Sequence, residues 1–276
     1  MKYLILIGLT LTLVIFVSGC AVTEESVKEI NQKIEDRYNS FSTLKYTITE
    51  LRYEDGTMNQ KQEYTEMFKK PDKIKQVFGV ASGQNSQNFY ICNKDTAYSQ
   101  ITPDLMSVYE YVNLPPEMTT YCGYFINKGA EKWKVPMEIT DGTKYKVETS
   151  KVDYDGKDAI KAVVTILMSE EAKQKQTAIG KTPRETVVTY WFDTNNFAIL
   201  KEESYSYTAE CEVASATIGG GSSKGDCKEI GIKVERVYGG FYFDAEIPDS
   251  EFEINPSDYP GVEFKKEIVD AQEKFD

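Results

Sequence analysis

Along most of this chain apolar and polar residues alternate one by one. Leu44, Tyr46 and Ile48 alternate with Lys45, Thr47 and Thr49. Ile160, Ala162, Val164, Ile166 and Met168 share one side of 158–168, and Ile230, Ile232, Val234 and Tyr238 share one side of 228–239. A period of two sends successive side chains to opposite faces of a strand, so these segments need a sheet with one dry face and one wet face. Further runs rich in aromatic and β-branched residues fall near 60–69, 73–80, 87–92, 96–101, 144–153, 185–193 and 197–209. Asp55-Gly56 and Asp155-Gly156 are hairpin turn signals, and a turn is expected at Thr194–Asn196. A sheet of roughly ten antiparallel strands curls, because each strand pair twists. The expectation is therefore an α+β chain whose dry face lines a concavity that helices cover.

Three stretches carry a helical period instead. Thr23 can cap a helix whose first turn holds Glu24 and Glu25, and Val27, Ile30, Ile34, Tyr38 and Phe41 then form one apolar stripe over about 18 residues. In Pro103–Val112, Leu105, Tyr109 and Val112 stand at i, i+4 and i+7. After Pro115-Pro116, Met118, Tyr121, Phe125 and Ile126 give a second short stripe that Gly129 can end. These two short helices, inserted after the fifth strand, make Leu105, Tyr109, Tyr121 and Phe125 lid candidates. Ser169–Thr182 is polar and reads as a helix or loop insertion. No repeat of fixed period and no Pro/Gly/Ser linker divides the chain, so residues 20–276 read as one domain.

The balance of 32 Lys+Arg against 44 Asp+Glu, a net charge of −12, argues against nucleic acid as a partner, since phosphate binding needs a basic patch. There is no His, which removes Ser-His-Asp triads, Cys-His dyads and His-ligated zinc together. Gly180-Lys181-Thr182 is not a P-loop, because Lys175 stands where the first glycine is required. Asp153, Asp155 and Asp158 around Gly156 lack calcium-loop spacing and read as a β-turn. No cofactor and no catalytic arrangement is indicated, and an enzyme is the weakest reading.

Lys2 is followed by Leu4–Val17, an uncharged run that as a helix spans ~21 Å, short of the ~30 Å hydrocarbon core. Val17, Ser18 and Gly19 then precede Cys20, which makes residues 1–19 a signal peptide. Small residues directly before a cysteine resemble the lipobox, which makes Cys20 the lipidated first residue of an exported chain; a plain secretory signal or an uncleaved anchor helix are the alternatives. Acyl chains contribute ~0.8 kcal/mol per buried CH₂, so two or three of them anchor a protein almost permanently. The helix begins three residues later, a leash of only ~10 Å, so the domain sits close to the membrane. Four further cysteines, Cys92, Cys122, Cys211 and Cys227, suggest two disulfides in an exported chain, with three possible pairings. Cys211 and Cys227 flank the glycine-rich segment Ala216–Gly225, which reads as a hairpin tip closed at its base, leaving Cys92 to pair with Cys122 and pin the lid to the sheet.

If the concavity is not filled, its lining is expected from apolar positions of the alternating strands: Tyr46, Ile48, Phe68 and Phe78 early, Val164, Ile166 and Trp191 in the middle, Ile232 and Val234 late. Periodicity cannot distinguish a filled groove from an empty one.

Several short phrases resemble the LolA-like family, the outer-membrane lipoprotein carrier and lipoprotein-sorting group. Phe68-Lys69-Lys70-Pro71-Asp72-Lys73 resembles its strand-end phrase, and Asp155-Gly156-Lys157-Asp158-Ala159 looks like the hairpin before its central strand. Tyr190-Trp191-Phe192-Asp193 looks like its strand ending in Asp, and Ile247–Ile254 with Pro260-Gly261-Val262 is similar to its C-terminal phrase. The resemblance implies an incomplete β-barrel of about eleven antiparallel strands with a helical lid, holding acyl chains of lipids or lipoproteins in its hollow. The chain departs from the carrier pattern in its expected anchor, its cysteines and the 211–227 excursion, and the family's lid-opening Arg has no clear counterpart. The expectation is a membrane-anchored, extracytoplasmic lipid- or lipoprotein-binding protein; the alternative is an envelope sensor or interaction module that uses the same fold against a membrane-protein partner.

Overall fold

The computed structural model describes residues 24–79, 88–136, 144–178, 184–211 and 227–275. The expected signal peptide, Cys20, the expected Thr23 cap and the expected hairpin tip Ala216–Gly225 lie outside these residues. The first helix, α1 (Glu24–Ser40), follows the expected stripe: Val27, Ile30, Ile34 and Tyr38 are buried, as is Phe41 just beyond it. Each aliphatic member of that stripe contributes about 1.5–3 kcal/mol by leaving water. What ends α1 comes from elsewhere in the chain. The Lys70 ammonium donates to the carbonyls of Tyr38 (2.8 Å) and Asn39 (3.0 Å), satisfying acceptors that the helix terminus leaves open.

Two meanders follow. The first runs through β1 (Thr43–Glu54), β2 (Thr57–Lys69), β3 (Lys73–Phe78), β4 (Asn88–Asn93), β5 (Thr96–Thr102) and β6 (Leu105–Val112). The second runs through β7 (Lys144–Tyr154), β8 (Lys157–Leu167), β9 (Thr186–Asp193), β10 (Ile199–Cys211) and β11 (Cys227–Phe243). Asp55-Gly56 and Asp155-Gly156 have positive φ at both positions (47° and 81°; 53° and 73°), the geometry that matches a two-residue turn to the twist of its strands. β1 pairs with β11, which joins the meanders into one curled, unclosed sheet of order β12-β6-β5-β4-β3-β2-β1-β11-β10-β9-β8-β7. β12 (Glu263–Asp270) lies parallel to β6 along their full lengths, so the sheet is mixed rather than wholly antiparallel.

Segment 105–112 is therefore a strand, not a lid helix. Leu105, Tyr109 and Val112 fit a helical stripe, but Val108 and Tyr111 add further β-branched and aromatic residues of a strand, and two ladders claim the backbone. The helical insertion consequently follows the sixth strand. It contains α2 (Tyr121–Lys128) and a 3₁₀ turn (Gly129–Lys132). Topology explains its position: β6 lies next to one edge of the sheet and β7 forms the other, so the connecting chain must cross the sheet. Its α2 and 3₁₀ turn lie over the inner face, beside α1. The polar stretch holds α3 (Glu170–Ala178), and α4 (Ala271–Phe275) ends the described chain.

The main core lies between this inner face and the helices, centred on Tyr38, Phe41, Leu44, Ile126 and Phe192. A smaller core, Met67, Ile91, Ile247 and Phe252, packs the C-terminal segment onto the outer face of β2 and β4. Asp249 fastens that segment through Lys69 (2.7 Å) and Lys73 (2.9 Å), hydrogen bonds that hold its carboxyl down at about 2. Among the described residues, no helix is long and apolar enough to cross a membrane.

Candidate functional site

A cavity of about 280 Å³ lies between α2, α1 and the inner face of β1–β4. That is near the lower end of the ~300–1,000 Å³ typical of small-molecule pockets. Tyr46 and Phe68 supply its floor, Ile74, Gln76 and Tyr90 continue the floor across β3 and β4, and Tyr38 and Trp133 wall it. Tyr121 and Phe125 from α2 form the roof, and Lys128, Gly129 and Lys132 complete the rim. The wall is rigid because its rings lock one another. Trp133 packs edge-on against Tyr38 (5.3 Å), Tyr46 (5.6 Å) and Phe241 (5.8 Å).

The roof is tied down at both ends. At its start, Thr120 Oγ1 accepts from the Gly123 N–H (3.1 Å), Asp95 Oδ1 accepts from the Tyr121 N–H (2.8 Å), and the Cys122 N–H donates to the Lys94 carbonyl (2.9 Å). Cys122 is bonded to Cys92 on β4, with Cα atoms 5.7 Å apart. At its far end, Asn31 on α1 grips Val135 twice: its Nδ2 donates to the Val135 carbonyl and its Oδ1 accepts from the Val135 N–H, both at 2.8 Å. Gly129 is required by proximity rather than by a turn. Its φ is −61°, but a Cβ there would collide with the Tyr38 hydroxyl, and the Tyr38 ring has no room to retreat. Gly129→Ala is therefore expected to destabilise by about 1–3 kcal/mol, read as a lowered urea midpoint at unchanged slope. A midpoint equal to the parent's would mean that Tyr38 moves freely.

Polar groups on the inner face are paired with one another. Glu66 is buried and accepts from the Tyr46 hydroxyl and from Gln76 Nε2 (2.8 Å). Farther along, Arg236 bridges Glu50 (2.6 Å) and Glu202 (2.9 Å). Two buried side-chain atoms have no hydrogen-bond partner among the described residues, Arg37 Nε and the Tyr38 hydroxyl. Tyr38 is 1 % exposed. Burial, then the charge of Glu66, raises its pKa, so it remains a neutral donor.

The expected lining residues separate into groups. Tyr46 and Phe68 line the cavity, whereas Ile48 and Val164 are packed in the core. Phe78, Ile166, Ile232 and Val234 share the inner-face register of their strands and are half-buried, away from the cavity. Trp191 is on the outer face, with Lys161 and Lys201 at 5.5 and 5.2 Å from its ring centroid, while its neighbours Tyr190 and Phe192 take the inner face. Of the lid residues, Tyr121 and Phe125 lie over the cavity. Leu105 and Tyr109 belong to β6, and Tyr109 borders a separate open trough between β6 and β12. Ile74, Gln76 and Tyr90 were legible only as ordinary strand positions, and Lys128, Lys132 and Trp133 carried no signal. The β10–β11 register sets Cys211 opposite Cys227.

No protein-family model matches the chain, and no curated protein matches it. Solved structures that align with it include a LolA superfamily protein from Nitrosomonas europaea, 13% identical over 85% of this chain and 99% of that one, with a TM-score of 0.33. Another is a domain from Vibrio parahaemolyticus described as an outer membrane lipoprotein-sorting protein, 11% identical over 83% and 97% with a TM-score of 0.30. A DUF1329 family protein from Desulfovibrio piger aligns at 10% identity over 82% and 97%, with a TM-score of 0.26.

Proposed function

We propose that residues 20–276 form a non-enzymatic, extracytoplasmic domain, tethered to the membrane through a lipidated Cys20, that shelters an acyl chain in the cavity under α2. The observation that carries this reading is the cavity itself: an aromatic-walled hollow that helices and sheet leave unfilled, on the sheet face that carries the main core. The driving force is desolvation, ~25 cal/mol per Å² of apolar surface removed from water. A volume of about 280 Å³ suits one chain rather than the several acyl chains of a whole lipoprotein. A tether of ~10 Å suits a receiver at the membrane surface rather than a diffusing shuttle.

Native mass spectrometry tests the reading. The exported chain carrying Cys20→Ser is mixed with a total lipid extract, and one retained lipid per protein is expected. Protein emerging without lipid at every ratio would count against it. A sensor or interaction role toward a membrane protein is the second reading, favoured by how much of the inner face is already filled by core and by the Arg236–Glu50–Glu202 cluster. Crosslinking in the membrane that captures no protein partner speaks against that alternative.

A further inference from the structure

The cavity has a polar end. Gly129 sits on its rim between Lys128 and Lys132, and the unpartnered Tyr38 hydroxyl abuts Gly129. Lys128 and Lys132 are exposed and form no ion pair among the described residues; Lys128 only approaches the Tyr124 ring, at 6.0 Å. Two uncommitted ammonium groups at one mouth are unexpected in a chain with twelve more acidic than basic residues. The C-terminal end of α2 places partial negative charge at the same mouth, and the two lysines reverse its sign. Most of the rest of the lining, Phe68, Ile74, Tyr46 and Trp133 among it, is aromatic or aliphatic, and the amide of Gln76 is turned to Glu66. Glu66, which accepts from the lining residues Tyr46 and Gln76, has both oxygens engaged by them.

Resting on the acyl-chain reading above, we propose that the cavity selects a single medium-chain carboxylate. Its head accepts a hydrogen bond from Tyr38 Oη and pairs with Lys128 and Lys132; its tail lies against Phe68, Ile74 and Trp133. The volume sets the chain length: about 280 Å³ holds roughly nine or ten methylene-sized groups at ~30 Å³ each. A carboxylate supplies what the site lacks, an acceptor for a buried donor and a counter-ion for the rim.

Calorimetric titration of the full chain carrying Cys20→Ser tests this with decanoate, 1-decanol, decyltrimethylammonium, methyl decanoate and hexadecanoate. Decanoate is expected to bind tightest, with decyltrimethylammonium weaker by about tenfold or more. The methyl ester separates a free carboxylate from an ester-linked acyl chain: binding as tight as that of the acid overturns the carboxylate assignment. Lys128→Glu with Lys132→Glu should weaken decanoate by about tenfold or more while leaving 1-decanol unchanged. Tyr38→Phe should weaken decanoate several-fold without lowering the melting temperature. Equal binding of all ten-carbon heads, unaffected by charge reversal, overturns the head-group inference and leaves the acyl-chain reading standing. Hexadecanoate binding tighter than decanoate overturns the length assignment. No binding of any ten-carbon ligand removes both.

Discussion

Replacing Cys92 and Cys122 together by serine is expected to lower stability by about 3–4 kcal/mol and the melting temperature by roughly 10 °C. The bond closes a loop spanning 30 residues, and the loss comes mainly from the unfolded chain, which regains the freedom that the crosslink had removed. The native side loses less, because the start of α2 keeps its Thr120 cap and its bonds to Asp95 and Lys94. The doubly substituted protein should therefore keep its β-sheet circular dichroism at 20 °C while its melting curve moves down. The roof should also open more often, seen as faster amide exchange in 121–126 but not in the middle of β1, where hydrogen bonds run on both sides. Unchanged melting would mean that the bond adds nothing beyond the tethers around it. A second bridge is expected where register sets Cys211 opposite Cys227, because facing residues of antiparallel strands lie ~4.5–5.5 Å apart at Cα, within disulfide reach. Peptide mapping without reductant should return Cys92–Cys122 and Cys211–Cys227; a link between the two pairs would contradict it.

Much of this architecture was legible because particular segments admit one period only. The α1 stripe runs Val27, Ile30, Ile34, Tyr38 and Phe41 with polar residues between, and no strand can bury such a set on one face. The Asp-Gly turns are equally unambiguous, since positive φ at consecutive positions strongly favours such pairs. Where the pattern admits two readings, tertiary context decides. Leu105–Val112 is apolar at helical spacing, yet β5 and β12 flank it and claim its backbone. In Tyr190-Trp191-Phe192 every residue is apolar, so the pattern does not say which parity faces inward, and Trp191 is the one that lies outside against lysines. β12 escaped notice because a strand exposed along Lys265–Ile268 need not alternate. The cavity was illegible in principle: its volume is what remains after Tyr38, Trp133 and α2 have packed, a small difference between large quantities. The Tyr38 hydroxyl illustrates the limit, since a helical stripe identifies the ring as core and says nothing of the oxygen at its tip.

Tyrosine burial sets the alkaline limit of the fold, and the protein is expected to unfold cooperatively within one to two pH units above about 10. The hydroxyls of Tyr38, Tyr46, Tyr90, Tyr190 and Tyr238 are all held above the ordinary tyrosine value, burial being the largest cause in each. Glu66 adds to the first two and Glu202 to the last two. Tyr64 is pushed up to about 12 for the same first reason. A group whose pKa is raised on folding keeps its full contribution below its unfolded value and loses it as pH rises toward the folded one. Each of the five more deeply buried tyrosines thus subtracts about 1.4 kcal/mol per pH unit above 10, and the partly exposed Tyr64 less, because solvent screens it. Six acting together exhaust a typical reserve of about 5–15 kcal/mol quickly. Lys201 and Lys233 act in the same direction: burial alone would lower them, but Glu203 and Glu235 hold both above the ordinary lysine value. Absorbance at 295 nm should rise in two stages, exposed phenols first, with the second stage coincident with loss of the far-ultraviolet β signal. A single smooth titration of all the tyrosines with the sheet intact would place these hydroxyls in water, and with them the walls of the cavity.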